Sequence, residues 1–203
     1  MTQTHAVTEA DVRAAARVGR TLDLPAGAVV TPAARDLARA LGVALREVQA
    51  TVPARQIVAL GADHGGYAMK EQLKPVLAES GYEVLDLGTF DAQPVDYPDF
   101  AVAVARAVAE GRAWRGIMID GAGIGSAMAA NKIGGVRAAL CYDLTTAQNA
   151  REHNDANVLT LGGTLIGTRL AVDIARTFLS AAFGGGRHAK RVAKINALDA
   201  GRG

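Results

Sequence analysis

The sequence predicts an α/β fold built on a doubly wound, five-stranded parallel sheet, with a small helical extension at the amino terminus. Three observations predict it. From Gln56 onward, short β-branched runs alternate with amphipathic helical stretches, and repeated βα units with short connections imply a parallel sheet. Residues 116–132 read as an apolar strand, a glycine-rich turn and an alanine-rich helix. Finally, 203 residues with 50% hydrophobic content can bury one core of ordinary domain size plus a small appendage.

Each strand of this Rossmann-like pattern is predicted from a short apolar run, and each helix from apolar residues on one face, as with Leu73, Val76 and Leu77. In chain order the predicted strands span residues 57–61, 82–87, 116–119, 136–141 and 158–161. The predicted helices span residues 67–80, 100–110, a short stretch from about 126, 145–154 and 167–180, followed by the basic segment RHAKRVAKINAL.

The first 55 residues differ from the rest of the chain. Thr8 with Asp11 is typical of an amino-terminal helix cap, and Thr31 followed by Pro32 predicts a second short helix that stops at Gly42. The segment DLPAGAVV between them is predicted to be a loop. Because so short a segment is too small to hold a core of its own, we expect it to dock on the main domain, on a neighbouring subunit or on another protein. We therefore divide the chain into an extension, residues 1–55, and a main domain, residues 56–203.

Composition excludes several classes of function. The formal net charge is +2, from 22 basic and 20 acidic residues, and only 4% of residues are aromatic, which argues against a nucleic-acid partner. A single cysteine, Cys141, leaves no internal disulfide or cysteine-cluster metal site and fits a reducing compartment. No apolar run is long enough for a membrane helix, and the amino terminus does not resemble a signal sequence. We expect a cytoplasmic protein with no membrane or nucleic-acid partner.

The glycine-rich turn GAGIG carries the main chemical signal. It follows Asp120, which ends the apolar run GIMI at the carboxyl edge of a predicted parallel strand, where ligands bind in open α/β sheets. Glycines let a ligand approach the backbone N–H groups, so the turn is predicted to bind an anion. The spacing GxGxG differs from the dinucleotide and Walker patterns, so a nucleotide cofactor is disfavoured. A purely structural turn, needed only for chain reversal, remains open at this stage.

Polar clusters accompany the carboxyl ends of the predicted strands and the basic tail. Each cluster alone has a structural interpretation, as a helix cap, a loop packing residue, a helix C-terminal charge or a solvated face. Together they indicate a site. The clusters are Asp63 with His64, Asp96 with Tyr97, Asp120 with its turn, His153 with Asn154 and Asp155, and Arg187 with Arg191.

With these residues in view, the chain closely resembles the ribose-5-phosphate isomerase type B family, which includes the galactose-6-phosphate isomerase subunits. The matching segments are ADHGGYAMKEQL, VDYPDFA, GAGIGSAMAANKIGGVRAAL, AREHNDANVLTLGG and GGRHAKRVAKI, in unbroken order over about residues 56–198. The resemblance implies an aldose–ketose isomerase without metal or cofactor, acting on a phosphorylated pentose or a near relative. It also implies an active site shared between the subunits of a homodimer or dimer of dimers.

The resemblance also implies roles for individual residues. Asp63 and His153 would take part in ring opening and proton transfer, and the glycine turn would hold the enediolate oxygens. The residues expected to contact the substrate or its phosphate are His64, Tyr97, Gly121, Ala122, Gly123, Gly125, Ser126, Asn154, Arg187 and Arg191.

The sequence departs from the family pattern at four positions. Many members have a cysteine base where this chain has Asp120, and another branch has a glutamate where this chain has Ser126. Ala122 replaces a usual hydroxyl residue, and Thr164 replaces a common phosphate-binding arginine. Cys141 lies in a predicted strand away from the turn and is interpreted as a small core residue.

Asp120 is therefore the candidate base that moves a proton between C2 and C1, with the turn's N–H groups stabilising the charge on oxygen. His153 would move a proton during ring opening, and Arg187 and Arg191, four residues apart, would clamp the phosphate. Three alternatives remain: a tetrose or other sugar phosphate as substrate, a non-catalytic sugar-phosphate binder or partner subunit, and an extension that contacts a shell or cargo. The last rests on VVTPAARDLARALGVAL, which resembles segments on enzymes of bacterial microcompartments.

Overall fold

The structure, a computed structural model, describes residues 6–25, 28–48 and 56–201. Internal contacts divide the chain into two units, Met1–Ala54 and Arg55–Gly203. The boundary predicted between residues 55 and 56 adjoins residues 49–55, which lie outside the described residues. No helix in the described ranges is long and apolar enough to cross a membrane.

Both predicted helices of the amino-terminal unit are confirmed. The cap of the first is a capping box in which the Thr8 amide donates to Asp11 Oδ2 at 2.8 Å, and Thr31 Oγ1 accepts from the Ala34 amide at 3.2 Å in the second. Gly42 ends the second helix in the left-handed conformation. In chain order the elements are β1 Ala6–Val7, α1 Glu9–Val18, β2 Thr21–Pro25, β3 Val29–Val30, α2 Pro32–Leu41 and β4 Ala44–Val48.

Two expectations for this unit are wrong. It is not purely helical, because β2 and β3 occupy part of the predicted loop and the four strands form two parallel pairs, β1 with β3 and β2 with β4. Each residue pairs with the one 23 positions later, as Ala6 does with Val29, so the unit is a tandem pair of equivalent β-α-β halves. It also has a small core of its own, because the two amphipathic helices pack on each other; this core contains Val12, Ala34, Ala38 and Val43.

The main unit contains the predicted five-stranded parallel sheet, in the spatial order β6-β5-β7-β9-β8. The chain first steps from β5 to β6 on one side and then returns to β7 on the other, so the topological switch point lies between β5 and β7. The strands are β5 Ile57–Ala62, β6 Glu83–Asp86, β7 Arg115–Asp120, β8 Ala138–Leu140 and β9 Val158–Gly162. The helices are α3 Tyr67–Glu79, α4 Tyr97–Ala109, α5 Ile124–Ala130, α6 Leu144–Asn154, α7 Thr168–Ser180 and α8 Gly186–Ala197, and a 3₁₀ turn spans Leu198–Gly201.

Helices cover both faces of this sheet, as predicted. One face packs on α4 and α5 through a core that includes Met118 and Val104, and the other packs on α3 and α7 through a core that includes Ile117 and Phe178. Contact between α4 and the sheet is close, since a Cβ on Gly116 would lie 2.6 Å from Val104 Cγ1. This packing fixes the start of α4 at the carboxyl edge of the sheet.

Two helix starts differ from the prediction. The helix predicted from residue 100 begins at Tyr97, because Asp96 occupies the N-cap position and Pro98 lies in the first turn, where proline is tolerated. The helix predicted from about Ser126 begins at Ile124. The first shift brings the predicted site residue Tyr97 to the start of α4, and the second places Ser126 at the third position of α5.

Candidate active site

Two aspartates lie at the switch point of the sheet, between the carboxyl ends of β5 and β7. Asp120 is the last residue of β7, and Asp63 follows β5 directly. The Asp63 amide donates to the Ile119 carbonyl at 3.1 Å, which extends the pairing of the two strands by one residue. Their side chains are buried, at 6% exposed for Asp63 and 4% for Asp120. Open α/β sheets bind ligands at this crevice, so the two aspartates stay the predicted location of the site.

Asp120 uses both carboxylate oxygens within the glycine turn. Oδ1 accepts from the Gly123 amide, and Oδ2 accepts from the Ser126 amide at 3.1 Å and from Ser126 Oγ at 2.5 Å. Gly123 has a φ of +78°, which a side chain would oppose. The Asp120 carboxylate therefore stabilises the turn and caps the start of α5.

This geometry corrects the predicted anion nest. The amides of Gly123 and Ser126 bind Asp120, so they are not available to a substrate oxygen in this structure. The carbonyls of the turn are also engaged, with Tyr142 Oη donating to Ala122 at 2.6 Å and Thr164 Oγ1 donating to Gly121 at 2.6 Å. The amides of Ile124 and Gly125, the first two residues of α5, have no acceptor within the helix. Any nest is therefore smaller than the sequence suggested.

Tyr97 and His64 reach the same crevice. A Cβ added to Gly125 would lie 2.5 Å from the Tyr97 hydroxyl oxygen, so the tyrosine ring rests directly on the turn. The His64 Nδ1 accepts from the Val95 amide at 3.3 Å, which ties the loop before α4 to the end of β5. The structure thus brings together Asp63, His64, Tyr97 and the Asp120 turn.

The electrostatics of Asp63 and Asp120 are linked. Burial raises the pKa of Asp63, and the neighbouring Asp120 carboxylate raises it further. The amides of Gly66 and Gly65 and the charge of His64 lower the same pKa without cancelling the rise. Asp63 thus holds its proton more tightly than an ordinary aspartate does.

His153 and Asn154 are not at this edge, which corrects the expectation that every cluster follows a strand. They form the last turn of α6 and precede β9, which begins at Val158. Helices that return between parallel strands end at the amino edge of the sheet, so these two residues lie opposite the aspartates. The Gly184 amide donates to the Glu152 carbonyl at 2.9 Å and joins the start of the α8 segment to this end of α6.

The basic residues of α8 belong to this second cluster. Arg187 and Arg191 are both exposed and lie one turn apart on the helix. His188, which the sequence analysis did not single out, stacks on His153 with ring centroids 4.2 Å apart and an interplanar angle of 5°. Its place directly after Arg187 in GGRH is the signal that could have found it.

Two other predicted residues have structural roles. Asp155 accepts from Arg151 at 2.8 Å and from Arg137 at 3.1 Å, so it stabilises the end of α6. Cys141 is 1% exposed within the main core, and burial raises the pKa of its thiol to about 11, which confirms its interpretation as a core residue. Among the residues that the structure describes, no group of three or more His, Cys, Asp and Glu side chains converges as metal ligands would.

Comparison with known proteins assigns the main unit to a family. The sequence model of the ribose/galactose isomerase family matches residues 58–195. Ribose-5-phosphate isomerase B of Escherichia coli is 44% identical over 142 residues, which cover 70% of this chain and 95% of that protein.

Solved structures agree with the sequence relatives. The Clostridium thermocellum ribose-5-phosphate isomerase B is 48% identical, covers 73% of this chain over its own full length, and superposes with a TM-score of 0.72. The Mycoplasma genitalium enzyme, solved with bound ribulose 5-phosphate, is 40% identical with a TM-score of 0.67, and the match covers 71% of this chain and 96% of that one. The chain therefore belongs to the ribose/galactose isomerase family, which includes the type B ribose-5-phosphate isomerases.

Proposed function

We propose that this protein interconverts ribose 5-phosphate and ribulose 5-phosphate through an enediolate, with Asp120 as the base. One observation carries the proposal: a buried carboxylate stands at the switch point of the sheet, beneath a glycine turn and beside Tyr97. The names of the relatives, ribose-5-phosphate isomerase B among them, support the substrate.

Asp120 needs a free lone pair to act as a base. Two of its three donors are backbone amides, which are fixed, but the third is the Ser126 hydroxyl, which can rotate. If the Ser126 hydroxyl rotates away, the lone pair of Asp120 Oδ2 that accepted its hydrogen bond becomes free. The carboxylate can then take the proton from C2 of the open sugar and return it to C1, while nearby N–H groups stabilise the oxygens.

The complete site needs a second copy of the chain. Asp63 and Asp120 lie at one edge of the sheet and His153 at the other, and a six-residue strand such as β7 spans about 20 Å. A dimer can place the amino edge of one copy against the carboxyl edge of its partner. Exposed apolar residues beside the turn, Ile124 at 48% and Met128 at 65%, favour such an interface. We propose a homodimer or a dimer of dimers.

In that arrangement the partner supplies the ring-opening and phosphate contacts. His153 would move the proton between the ring oxygen and solvent, and Asn154, Arg187 and Arg191 would bind the open sugar and its phosphate. Thr164, bonded to the Gly121 carbonyl, offers no guanidinium to the phosphate, so a tetrose phosphate stays a candidate substrate.

The test is conversion of a panel of aldose phosphates, including ribose 5-phosphate and erythrose 4-phosphate, to the corresponding ketoses. We expect turnover of the pentose, and a loss of at least about 100-fold in Asp120→Asn, because general base catalysis is commonly worth that much. Asp143→Asn is the matched control: the Asp143 carboxylate caps α6 through the Thr146 amide at 2.7 Å and, among the described residues, forms no hydrogen bond with the turn. Asp120→Asn turnover within threefold of the parent would refute the base assignment, and no conversion of any sugar would refute the isomerase.

One observation favours the alternative of a non-catalytic sugar-phosphate-binding or partner subunit. Asp120 is only 4% exposed and engaged by three donors, as a structural cap would be. Titration calorimetry with ribose 5-phosphate distinguishes the two functions. Tight binding without turnover supports the subunit, and binding with turnover supports the enzyme.

For the extension we propose a role in assembly or targeting, including contact with the shell or cargo of a bacterial microcompartment. The proposal rests on the separate core of the extension, on the family match that begins only after it, at residue 58, and on the proposed likeness of VVTPAARDLARALGVAL to segments on such enzymes. A chain lacking residues 1–55 should keep its isomerase activity and lose partners or oligomer size. Unchanged oligomer size and unchanged co-purifying partners would remove this role.

A further inference from the structure

Asp63 and Asp120 are neighbours across two strands. Ala62 and Ile119 are the last register partners of β5 and β7, and the Asp63 amide still donates to the Ile119 carbonyl, so the two aspartates are the next pair. Paired residues on adjacent parallel strands lie about 5 Å apart and face the same side of the sheet. Both side chains are buried. Two carboxyl groups placed this way resist ionising together, because each charge penalises the other where water is scarce.

The surroundings decide which aspartate keeps the charge. Asp120 receives three hydrogen bonds, two from amides and one from the Ser126 hydroxyl, and all three stabilise an anion. Asp63 accepts from the Gly66 amide at 3.0 Å, with the Gly65 amide also favouring its charged form, and no side-chain donor bonds it in the described structure. The asymmetry favours the charge on Asp120 and the proton on Asp63.

We propose that the protein holds one proton on Asp63 beside the Asp120 carboxylate, and that the two groups act together as acid and base. The proposal rests on the proposed isomerase function. Asp120 removes the proton from C2 of the open aldose, and the C–H electrons form the C1=C2 bond. Asp63 gives its proton to the aldehyde oxygen as the C=O π electrons move onto it, so the proposed enediolate is held in its protonated form, as a neutral enediol.

The second half of the reaction moves both protons again, so that each aspartate recovers its starting protonation state. Asp63, now a carboxylate, takes the proton of the O2 hydroxyl, so that C2=O forms, and Asp120 gives its proton to C1. The pair finishes as it began, and no external acid, base or redox partner is required. Pairs of titratable groups whose surroundings push their pKa values apart are the usual arrangement of an acid and a base in one site.

The charges acting on Asp63 are consistent with this pair. Burial and the Asp120 carboxylate raise its pKa, and His64, the other charged group acting on it among the described residues, lowers it. Removing the Asp120 charge should therefore let Asp63 ionise more easily.

The experiment follows the carboxyl carbons of the ligand-free full chain by carbon-13 NMR as pH is varied, with the Asp63 signal assigned from its absence in Asp63→Asn. We expect the Asp63 midpoint above the ordinary value of 3.8. In Asp120→Asn it should fall towards that value. Asparagine also caps helices, which preserves the turn, and Asp120→Cys offers a second variant that is uncharged at acidic pH. Asp143→Asn should leave the midpoint unchanged.

Three results would overturn the pair: an Asp63 midpoint at or below the ordinary value in the parent, an Asp63 carboxyl that is already ionised at the pH of the isomerase assay, or an equal midpoint in the parent and both Asp120 variants. The titration uses no substrate, so its outcome is separate from that of the isomerase assay. A shifted midpoint without turnover of any sugar supports the shared proton and refutes the proposed function. Turnover with an unshifted midpoint refutes the pair alone.

Discussion

Two inactive variants should restore a working site when they are combined in one dimer. Asp120→Asn damages the carboxyl edge of the sheet and His153→Asn damages the amino edge, and each should lower activity at least about 100-fold on its own. If each site takes one edge from each copy, a mixed dimer contains one site with both residues intact and one site with neither. In a two-fold dimer the mixed species should therefore show about half the activity of the parent.

The two variants would be co-expressed with different affinity tags, and the mixed dimer purified through both tags before the ribose 5-phosphate assay. A dimer that combines Asp120→Asn with Asp120→Ala is the matched control, because both changes fall on the same edge and leave no intact site. Activity of the mixed dimer equal to the mean of its two inactive parents would refute the split site. It would mean that each chain supplies its own His153, against the opposite placement of the two edges.

Three further predictions concern the main unit. Asp86→Asn should lower the free energy of unfolding by about 3 kcal/mol, because it leaves the fully buried Lys70 ammonium without its bidentate partner. Glu71→Gln, which removes a more exposed partner of Lys70, should lower the same free energy by less than about 1 kcal/mol. Urea denaturation of the full chain measures both changes. Burial alone would raise the pKa of Asp86, but its bonds to two lysines lower that pKa below its ordinary value of 3.8. The stabilisation that the ionised Asp86 contributes is therefore fully present above pH 3.8. It should disappear in unfolding experiments as the pH falls through the lowered pKa. Cys141, with a pKa raised to about 11, should resist thiol reagents at pH 8 in the folded protein and react after unfolding; rapid labelling of the native chain would contradict its burial.

The sequence alone predicted the sheet of the main unit, because its strands are short apolar runs and the glycine turn punctuates the pattern. It did not reveal the strands of the amino-terminal unit. Strands such as Val29–Val30 are too short to produce a period of two, and their pairing with residues 23 positions away is a tertiary contact. It also placed His153 at the wrong edge, although the predicted helix 145–154 and strand 158–161 already put this residue at the end of a returning helix, which is the amino edge of the sheet.

Positions 120 and 126 show what the structure adds to the departures from the family pattern. Taken singly, Asp120 in place of a cysteine and Ser126 in place of a glutamate look like two losses of catalytic chemistry. In the fold, Ser126 is fully buried and its hydroxyl lies 2.5 Å from Asp120 Oδ2, so the two side chains are in direct contact. A reactive group carried by either position would therefore lie at the same part of the turn. The serine supplies the donor that a buried carboxylate requires, and the two substitutions are best understood as one coupled change.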